Sequence, residues 1–294
     1  MIKSPLRYPG GKSRAISIMS KLIPDYSEYR EPFLGGGSLF VYLKQRHQDC
    51  IYWINDLYKP LYKFWYEVKN DVDKVLEIVA EWKTEFKEGK DLHKYLQKNI
   101  DGFDSVHTAA AFFVFNRITF SGTSQSGGYS DASYKGRFTD SSLDRVKMLS
   151  GILDNTNITN LDYMDVVESS GHNVFMYLDP PYYSATKSAL YGKNGNLHKS
   201  FDHERFADVM RNCSHRWLIT YDDNEYVRDL FSFSNIFEWD LKYGMRNVSK
   251  NSNQNGKELF ISNYLKTYTV EEQVGMFEKE FVVMDKFTGK VLYC

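Results

Sequence analysis

The four residues Asp179-Pro180-Pro181-Tyr182 bring together the side chains best suited to chemistry in this chain. They follow a short, continuous apolar run, Val174-Phe175-Met176-Tyr177-Leu178, which reads as the interior of a buried strand. Two successive prolines end strand pairing and hold φ at about −65°, so the turn is stiff. Such a turn offers a carboxylate, a carbonyl on a residue without a donor, and an aromatic face at the carboxyl end of a strand. Open α/β sheets bind their ligands at that end. A carboxylate and a carbonyl that converge can accept both hydrogens of an exocyclic amino group, while the ring stacks on the base that carries it. Chemistry on a nucleobase amine is expected. The alternative is a surface turn made of ordinary turn residues.

A second constellation lies near the N-terminus. Tyr29-Arg30-Glu31-Pro32-Phe33 reads as a strand leading into Leu34-Gly35-Gly36-Gly37, with Ser38 expected to cap a helix over residues 39–45. Strand, glycine turn and helix start form a cradle: glycine lets a ligand approach the backbone, and the helix end offers free N–H groups. Asp56 stands 19 residues beyond Gly37, at the end of the next strand (residues 51–54). An acidic residue at that place binds ribose hydroxyls in nucleoside-binding α/β folds. Gly10-Gly11-Lys12-Ser13 matches only the tail of a phosphate-binding loop, because Leu6 occupies the required earlier glycine position. Lys12 then reads as neutralising a carboxylate or supporting a ligand-facing loop, and Tyr8 as an aromatic edge or hydroxyl.

The elements that must hold these residues alternate as strand and helix up to about residue 65 and again from about residue 155. Residues 58–119 read as helical throughout, with Trp65, Val68, Val72, Val75, Leu76 and Val79 at helical spacing. The polar stretch 121–139 reads as a hairpin or extended loop, and Asp140 as the cap of a helix reaching residue 153. Strands are expected at residues 158–161, 174–178, 216–221, 236–243 and 259–264, with helices at 202–212 and 224–230. The fold class is α/β: a mostly parallel sheet interrupted by a helical insertion. The expected division is residues 1–65 with 155–265, an insertion 66–154, and an extension 266–294 in which 281–284 and 291–293 pair as a hairpin.

Whole-chain properties narrow the class. With 294 residues and 42% hydrophobic content, the chain can bury a substantial core. No apolar run reaches the length of a membrane span, and Met1-Ile2-Lys3-Ser4-Pro5 lacks a signal-peptide stretch. Cys50, Cys213 and Cys294 are scattered and odd in number, which disfavours a disulfide framework or zinc site and suits a reducing, cytoplasmic setting. The net charge of −1 does not advertise nucleic-acid binding, yet basic residues gather near candidate loops around Arg7, Arg137, Lys193 and Arg246. An aromatic content of 16% provides stacking partners for bases as well as core.

Taken in order, Tyr8-Pro9-Gly10-Gly11-Lys12, Glu31 to Gly37, Asn55-Asp56, Asp179-Pro180-Pro181-Tyr182 and Lys257-Glu258-Leu259-Phe260-Ile261-Ser262-Asn263-Tyr264 resemble the DNA adenine methylase family of N6-adenine methyltransferases. The resemblance is collinear over roughly residues 1–265, weaker through the insertion, and its motif order is that of the alpha group. It implies a Rossmann-like methyltransferase domain with S-adenosyl-L-methionine as donor and double-stranded DNA as substrate. It also implies that Tyr8 and Lys12 lie along the methionine end, that Phe33, Gly35 and Gly37 belong to the cradle, and that Asp56 binds ribose. Asp162-Tyr163 would flank the cofactor adenine; a helix cap and a core tyrosine is the equal alternative. Asp179 would border both cofactor and base. The GATC-specific members carry an Asn-Gly-Leu-Tyr-Arg type segment where this chain has Phe120-Ser121-Gly122-Thr123-Ser124-Gln125, so their target is not transferred. Tyr129, Lys135 and Arg137 are candidate DNA contacts or simply exposed loop residues, and the loops 191–200 and 246–257 are further candidates.

The mechanism this implies is direct transfer to adenine N6. Asp179 and the Pro180 carbonyl accept the N6 hydrogens as the bond forms, Tyr182 stacks on the flipped base, and no metal or covalent intermediate is needed. Cytosine N4, an RNA adenine or a glutamine amide are alternative acceptors. Asp rather than Ser or Asn at position 179 favours adenine by resemblance. A non-catalytic nucleic-acid binder is the alternative from another class. A cognate restriction endonuclease beside the protein and solitary action both stay open.

Overall fold

The computed structural model describes residues 1–8, 11–122, 127–184, 200–241, 256–269, 281–286 and 291–293. Its centre is a seven-stranded sheet in the order β3-β2-β1-β4-β5-β7-β6. The strands are β1 (Glu28–Glu31), β2 (Ile51–Asn55), β3 (Thr156–Thr159), β4 (Val174–Leu178), β5 (Arg216–Asp222), β6 (Asn235–Leu241) and β7 (Gly256–Ser262). All neighbours are parallel except β7, which runs antiparallel to both β5 and β6. Glu28 faces Ile51 on one side and Val174 on the other, so β1 and β4 are adjacent although the chain places two strands between them. Strand order reverses there, a switch point that leaves a crevice outside the carboxyl ends of β1 and β4. All five residues of β4 are buried. That is why its sequence is an unbroken apolar run rather than an alternating one.

The helices are α1 (Ile16–Leu22), α2 (Ser38–Lys44), α3 (Lys59–Asn70), α4 (Val72–Glu85), α5 (Gly89–Asn99), α6 (Ser105–Ile118), α7 (Asp131–Arg137), α8 (Asp140–Ser150), α9 (Tyr163–Val167), α10 (His203–Asn212) and α11 (Glu225–Leu230). Six of them, α3 to α8, lie between β2 and β3 in the chain. α6 is buried from Thr108 to Ile118, and its Phe113 stacks on Phe64 of α3 at 6.0 Å. The apolar residues of these helices form one cluster with Tyr29, Tyr52, Phe175 and Tyr177 of the sheet. No helix among the described residues is long and apolar enough to cross a membrane.

Several local expectations change. Ser38 opens α2 rather than capping it: Gly37 is the cap residue, in the left-handed conformation at φ 59°, and no side chain caps that end. Thr139, not Asp140, precedes α8, and Asp140 pairs with Lys83 at 2.6 Å. Residues 131–137 are helical because Ser130 caps them, accepting from the Ser133 N–H at 3.2 Å. Among the described residues, one antiparallel bridge, Thr119 with Tyr129, gives that stretch hairpin character. The strand expected at 158–161 is displaced toward the N-terminus as β3. After β7 the chain forms β8 (Leu265–Thr269), β9 (Phe281–Asp285) and β10 (Val291–Tyr293), a three-stranded antiparallel sheet in which β9 and β10 pair as expected and β8 joins them. The loop candidates at 191–199 and 246–255 lie outside the described residues.

Candidate active site

A cleft of about 440 Å³ opens at the carboxyl ends of β1 and β4, lined among others by Tyr8, Lys12, Phe33, Gly35, Gly37, Asp56, Asp162, Tyr163, Asp179, Pro180 and Tyr182. It gathers all the residues that the sequence assigned to catalysis or to the cofactor. Tyr129, Lys135 and Arg137 do not line it.

The acidic-proline corner is built from three directions. β4 delivers Asp179, whose Oδ1 accepts from the Thr220 hydroxyl of β5 at 2.8 Å and lies 3.2 Å from Lys12 Nζ. Lys12 is itself buried, and its Nζ also reaches the Tyr182 hydroxyl at 2.6 Å and Glu258 Oε1 of β7 at 3.4 Å. An ammonium only donates. Tyr182 therefore accepts from Lys12 and sends its own hydrogen to Glu258 at 2.9 Å. Tyr221 stacks on the Tyr182 ring with centroids 5.9 Å apart. Asp222 then fixes the exit of the turn by accepting the N–H groups of Tyr183 at 3.0 Å and Ser184 at 2.9 Å. Asp222 and Glu258 oppose each other in the β5–β7 register, so one sheet end grips the whole corner.

The other half of the cleft is the glycine turn. Gly35 and Gly37 both have positive φ, 51° and 59°. A Cβ on Gly37 would sit 2.8 Å from the Trp65 ring, and one on Gly35 would sit 3.0 Å from the Tyr8 ring. The glycines are thus demanded first by the packing of protein side chains against the turn, a requirement the sequence reading assigned to the ligand. Asp56 holds the turn from outside, its Oδ2 accepting the Gly35 N–H and its Oδ1 the Tyr58 N–H, each at 2.9 Å. Burial raises its pKa to about 6 against those two bonds. Each oxygen keeps lone-pair capacity for a hydroxyl group. Glu31, at the end of β1, is more deeply buried; desolvation lifts it to about 8, although the Tyr29 hydroxyl donates to it at 2.6 Å.

Phe33 faces Tyr163 with centroids 5.3 Å apart and takes the edges of Phe201 and Phe206. Asp162 caps α9 by accepting the Met164 N–H at 3.0 Å, and both Asp162 and Tyr163 line the cleft. The Tyr163 hydroxyl is buried with no hydrogen-bond partner, and burial pushes its pKa up to about 12.

Away from the cleft, Tyr129 donates to Asp131 at 3.2 Å, Lys135 pairs with the same carboxylate at 2.8 Å, and Arg137 ends α7. A cationic group that sequence reasoning did not assemble lies beside it. Asn116 holds the Arg7 backbone through two bonds, Arg7 N–H to Oδ1 at 2.9 Å and Nδ2 to the Arg7 carbonyl at 2.6 Å. Arg7 Nη1 and Arg117 Nε are buried without partners. Burial, followed by the charges of Arg145, Arg7 and Arg137, lowers Arg117 to about 9. Glu31, Tyr177, Thr220, Asp222 and Glu258 also escaped assignment. The available signal was a polar residue inside an apolar strand run, as in Trp217-Leu218-Ile219-Thr220-Tyr221 and Glu258-Leu259-Phe260-Ile261.

The sequence model of the D12 class N6 adenine-specific DNA methyltransferase family matches residues 8–245. Type II methyltransferase M.MjaIII of Methanocaldococcus jannaschii is 26% identical over 251 residues, covering 78% of this chain and 86% of that protein. Type II methyltransferase M1.LlaDCHI of Lactococcus lactis subsp. cremoris is 23% identical over 278 residues, covering 88% of this chain and 94% of that one. The DNA N-6-adenine-methyltransferase of Escherichia phage P1 is 22% identical over 84% of this chain, which corresponds to 33% of the phage protein.

Proposed function

This chain belongs to the D12 class N6 adenine-specific DNA methyltransferase family, and on that premise we propose a donor, an acceptor geometry and a residue assignment. The donor is S-adenosyl-L-methionine, bound in the switch-point cleft. The acceptor is N6 of an adenine flipped out of duplex DNA at a specific site. The observation that carries the reading is that Asp179, Gly35 and Asp56 border one and the same cleft.

The donor fits the residues present. The orphaned Tyr163 hydroxyl at the aromatic wall of Phe33 asks for a polar ligand atom beside an apolar one. Asp56 offers acceptor capacity for ribose, and Tyr8, Lys12 and Glu31 border the end toward Asp179. When bound, S-adenosylmethionine supplies an electrophilic methyl group on a sulfonium. The protein supplies the rest. Thr220 and Lys12 both meet Asp179 at Oδ1, which leaves Oδ2 for one N6 hydrogen and the Pro180 carbonyl for the other. Tyr182, which stacks on Tyr221, is the ring that would stack on the flipped base. Orientation of N6 by these three groups, rather than proton abstraction in advance, is the source of the rate.

DNA would follow the surface from the cleft past Tyr129, Lys135 and Arg137. The positive charge gathered at Arg7, Arg117, Arg137 and Arg145 supports a backbone phosphate there. Residues 1–65 with 155–265 form the catalytic part in this reading, 66–154 the insertion that meets DNA, and 266–294 an accessory sheet. Two relatives named type II methyltransferases support a cognate restriction endonuclease as companion. The free Cys50 and Cys213 agree with a cytoplasmic setting.

The test is Asp179→Ala, assayed with labelled methyl donor and duplex DNA, followed by nucleoside chromatography. Transfer to N6-methyladenine is abolished while DNA affinity stays within about twofold, because the phosphate contacts are untouched. Near-normal turnover by the variant, or N4-methylcytosine as product, rejects the assignment.

A further inference from the structure

The inside of the sheet carries a directed hydrogen-bond chain that ends on Asp179. Leu178 pairs with Ile219 across β4 and β5, so the next residues along, Asp179 and Thr220, meet at the sheet's carboxyl end. Thr220 is fully buried, and its hydroxyl lies 2.8 Å from Asp179 Oδ1 and 2.9 Å from the hydroxyl of the buried Tyr177. A carboxylate paired with an ammonium can only accept, and a hydroxyl has a single hydrogen. Thr220 must therefore donate to Asp179, and Tyr177 must donate to Thr220. No other orientation satisfies all three groups. Burial, and next the Asp179 charge, push the Tyr177 pKa well above its ordinary value, so Tyr177 keeps the hydrogen it donates.

We propose that Thr220 is a positioning residue for methyl transfer: its hydroxyl, polarised by Tyr177, occupies Asp179 Oδ1 together with Lys12 and so turns Oδ2 toward the adenine amine. The inference rests on the reading that Asp179 receives N6. Lys12 alone does not fix the carboxylate, because an ammonium is a point charge with no preferred direction, whereas the buried Thr220 hydroxyl, held on its other side by Tyr177, directs its one hydrogen to Oδ1.

Thr220→Val keeps the shape and removes the hydroxyl. Single-turnover and steady-state assays on duplex DNA should show kcat lowered about 10- to 100-fold, the size of a charge-assisted bond, with KM for DNA and donor within about 2-fold. Thr220→Ser, which restores the donor, should recover kcat to within about 3-fold of the parent. Thr220→Val strands the Tyr177 hydroxyl in the interior and lowers stability, so kcat is also read in Thr220→Val/Tyr177→Phe. That double variant should be no slower than Thr220→Val, because the chain is already cut. Fluorescence of 2-aminopurine at the target position should rise as in the parent, since extrusion of the base from the duplex stack does not depend on Thr220. A Thr220→Val kcat within about 2-fold of the parent, a Thr220→Ser as slow as the valine variant, or a loss expressed in KM overturns the inference. An active Asp179→Ala would instead overturn the underlying assignment, and the two failures are separately visible.

Discussion

Removal of the Lys12 ammonium is the sharpest perturbation of the corner. Lys12 Nζ stands 3.2 Å from Asp179 Oδ1 and 3.4 Å from Glu258 Oε1, and both Lys12 and Glu258 are essentially excluded from solvent. At an effective dielectric of about 20, each contact corresponds to about 5 kcal/mol of Coulomb attraction. Desolvation of the ammonium and of Glu258 offsets much of it, and the quarter-exposed Asp179 is partly screened. Breaking a buried pair from one side typically costs about 3–5 kcal/mol, and the lower half of that range applies here. Lys12→Met keeps the length of the stem and lets two carboxylates repel. In urea unfolding followed by tryptophan fluorescence, we expect a loss of about 3 kcal/mol, with a melting temperature lower by about 5 °C. Lys12→Met/Glu258→Gln removes the buried anion and should recover at least half of that loss. A single variant within about 1 kcal/mol of the parent, or a double variant no better than the single, refutes the electrostatic account.

Three further outcomes follow from the geometry. The Glu31 pKa is raised from 4.5 to about 8, so the folded state holds a proton there that the unfolded chain releases. Its contribution to stability is full below about pH 4.5 and is lost as pH rises toward 8; Glu31→Gln should flatten the urea midpoint over that window, and an unchanged pH slope contradicts it. Arg137→Ala should weaken DNA binding and reduce the slope of log K against log salt by about one, equally for specific and unrelated duplexes; an unchanged slope removes it from the phosphate contacts. Gly37→Ala places a Cβ 2.8 Å from Trp65 at φ 59° and should cost about 2–4 kcal/mol, with calorimetry as the readout; a smaller loss means that the turn relaxes freely.

Motifs whose chemistry is local were legible from residue order. Val174–Leu178 announced its burial on both faces, the two prolines announced the stiff corner, and Asp56 stood at a strand end because strand and loop lengths place it there. The helical insertion was legible for the same reason, since its apolar spacing reports a buried stripe. Misreadings came where a neighbour in space overrode a neighbour in sequence. Ser38 looked like a cap, but the left-handed Gly37, fixed by Trp65 above it, already occupies that position. The polar stretch 121–139 looked like a loop because its helix is only about two turns long, too short for periodicity to show.

By itself, the sequence determined the sheet, the glycine turn and the acidic-proline corner, because each is dictated by dihedral limits and burial within a few consecutive residues. Only the tertiary structure decided which charges meet. Lys12 and Glu258 stand 246 positions apart, and Thr220 reaches Asp179 across 41. Pairing at such separations is set by strand order and register, and a carboxylate in an apolar strand carries no mark of the cation it will find.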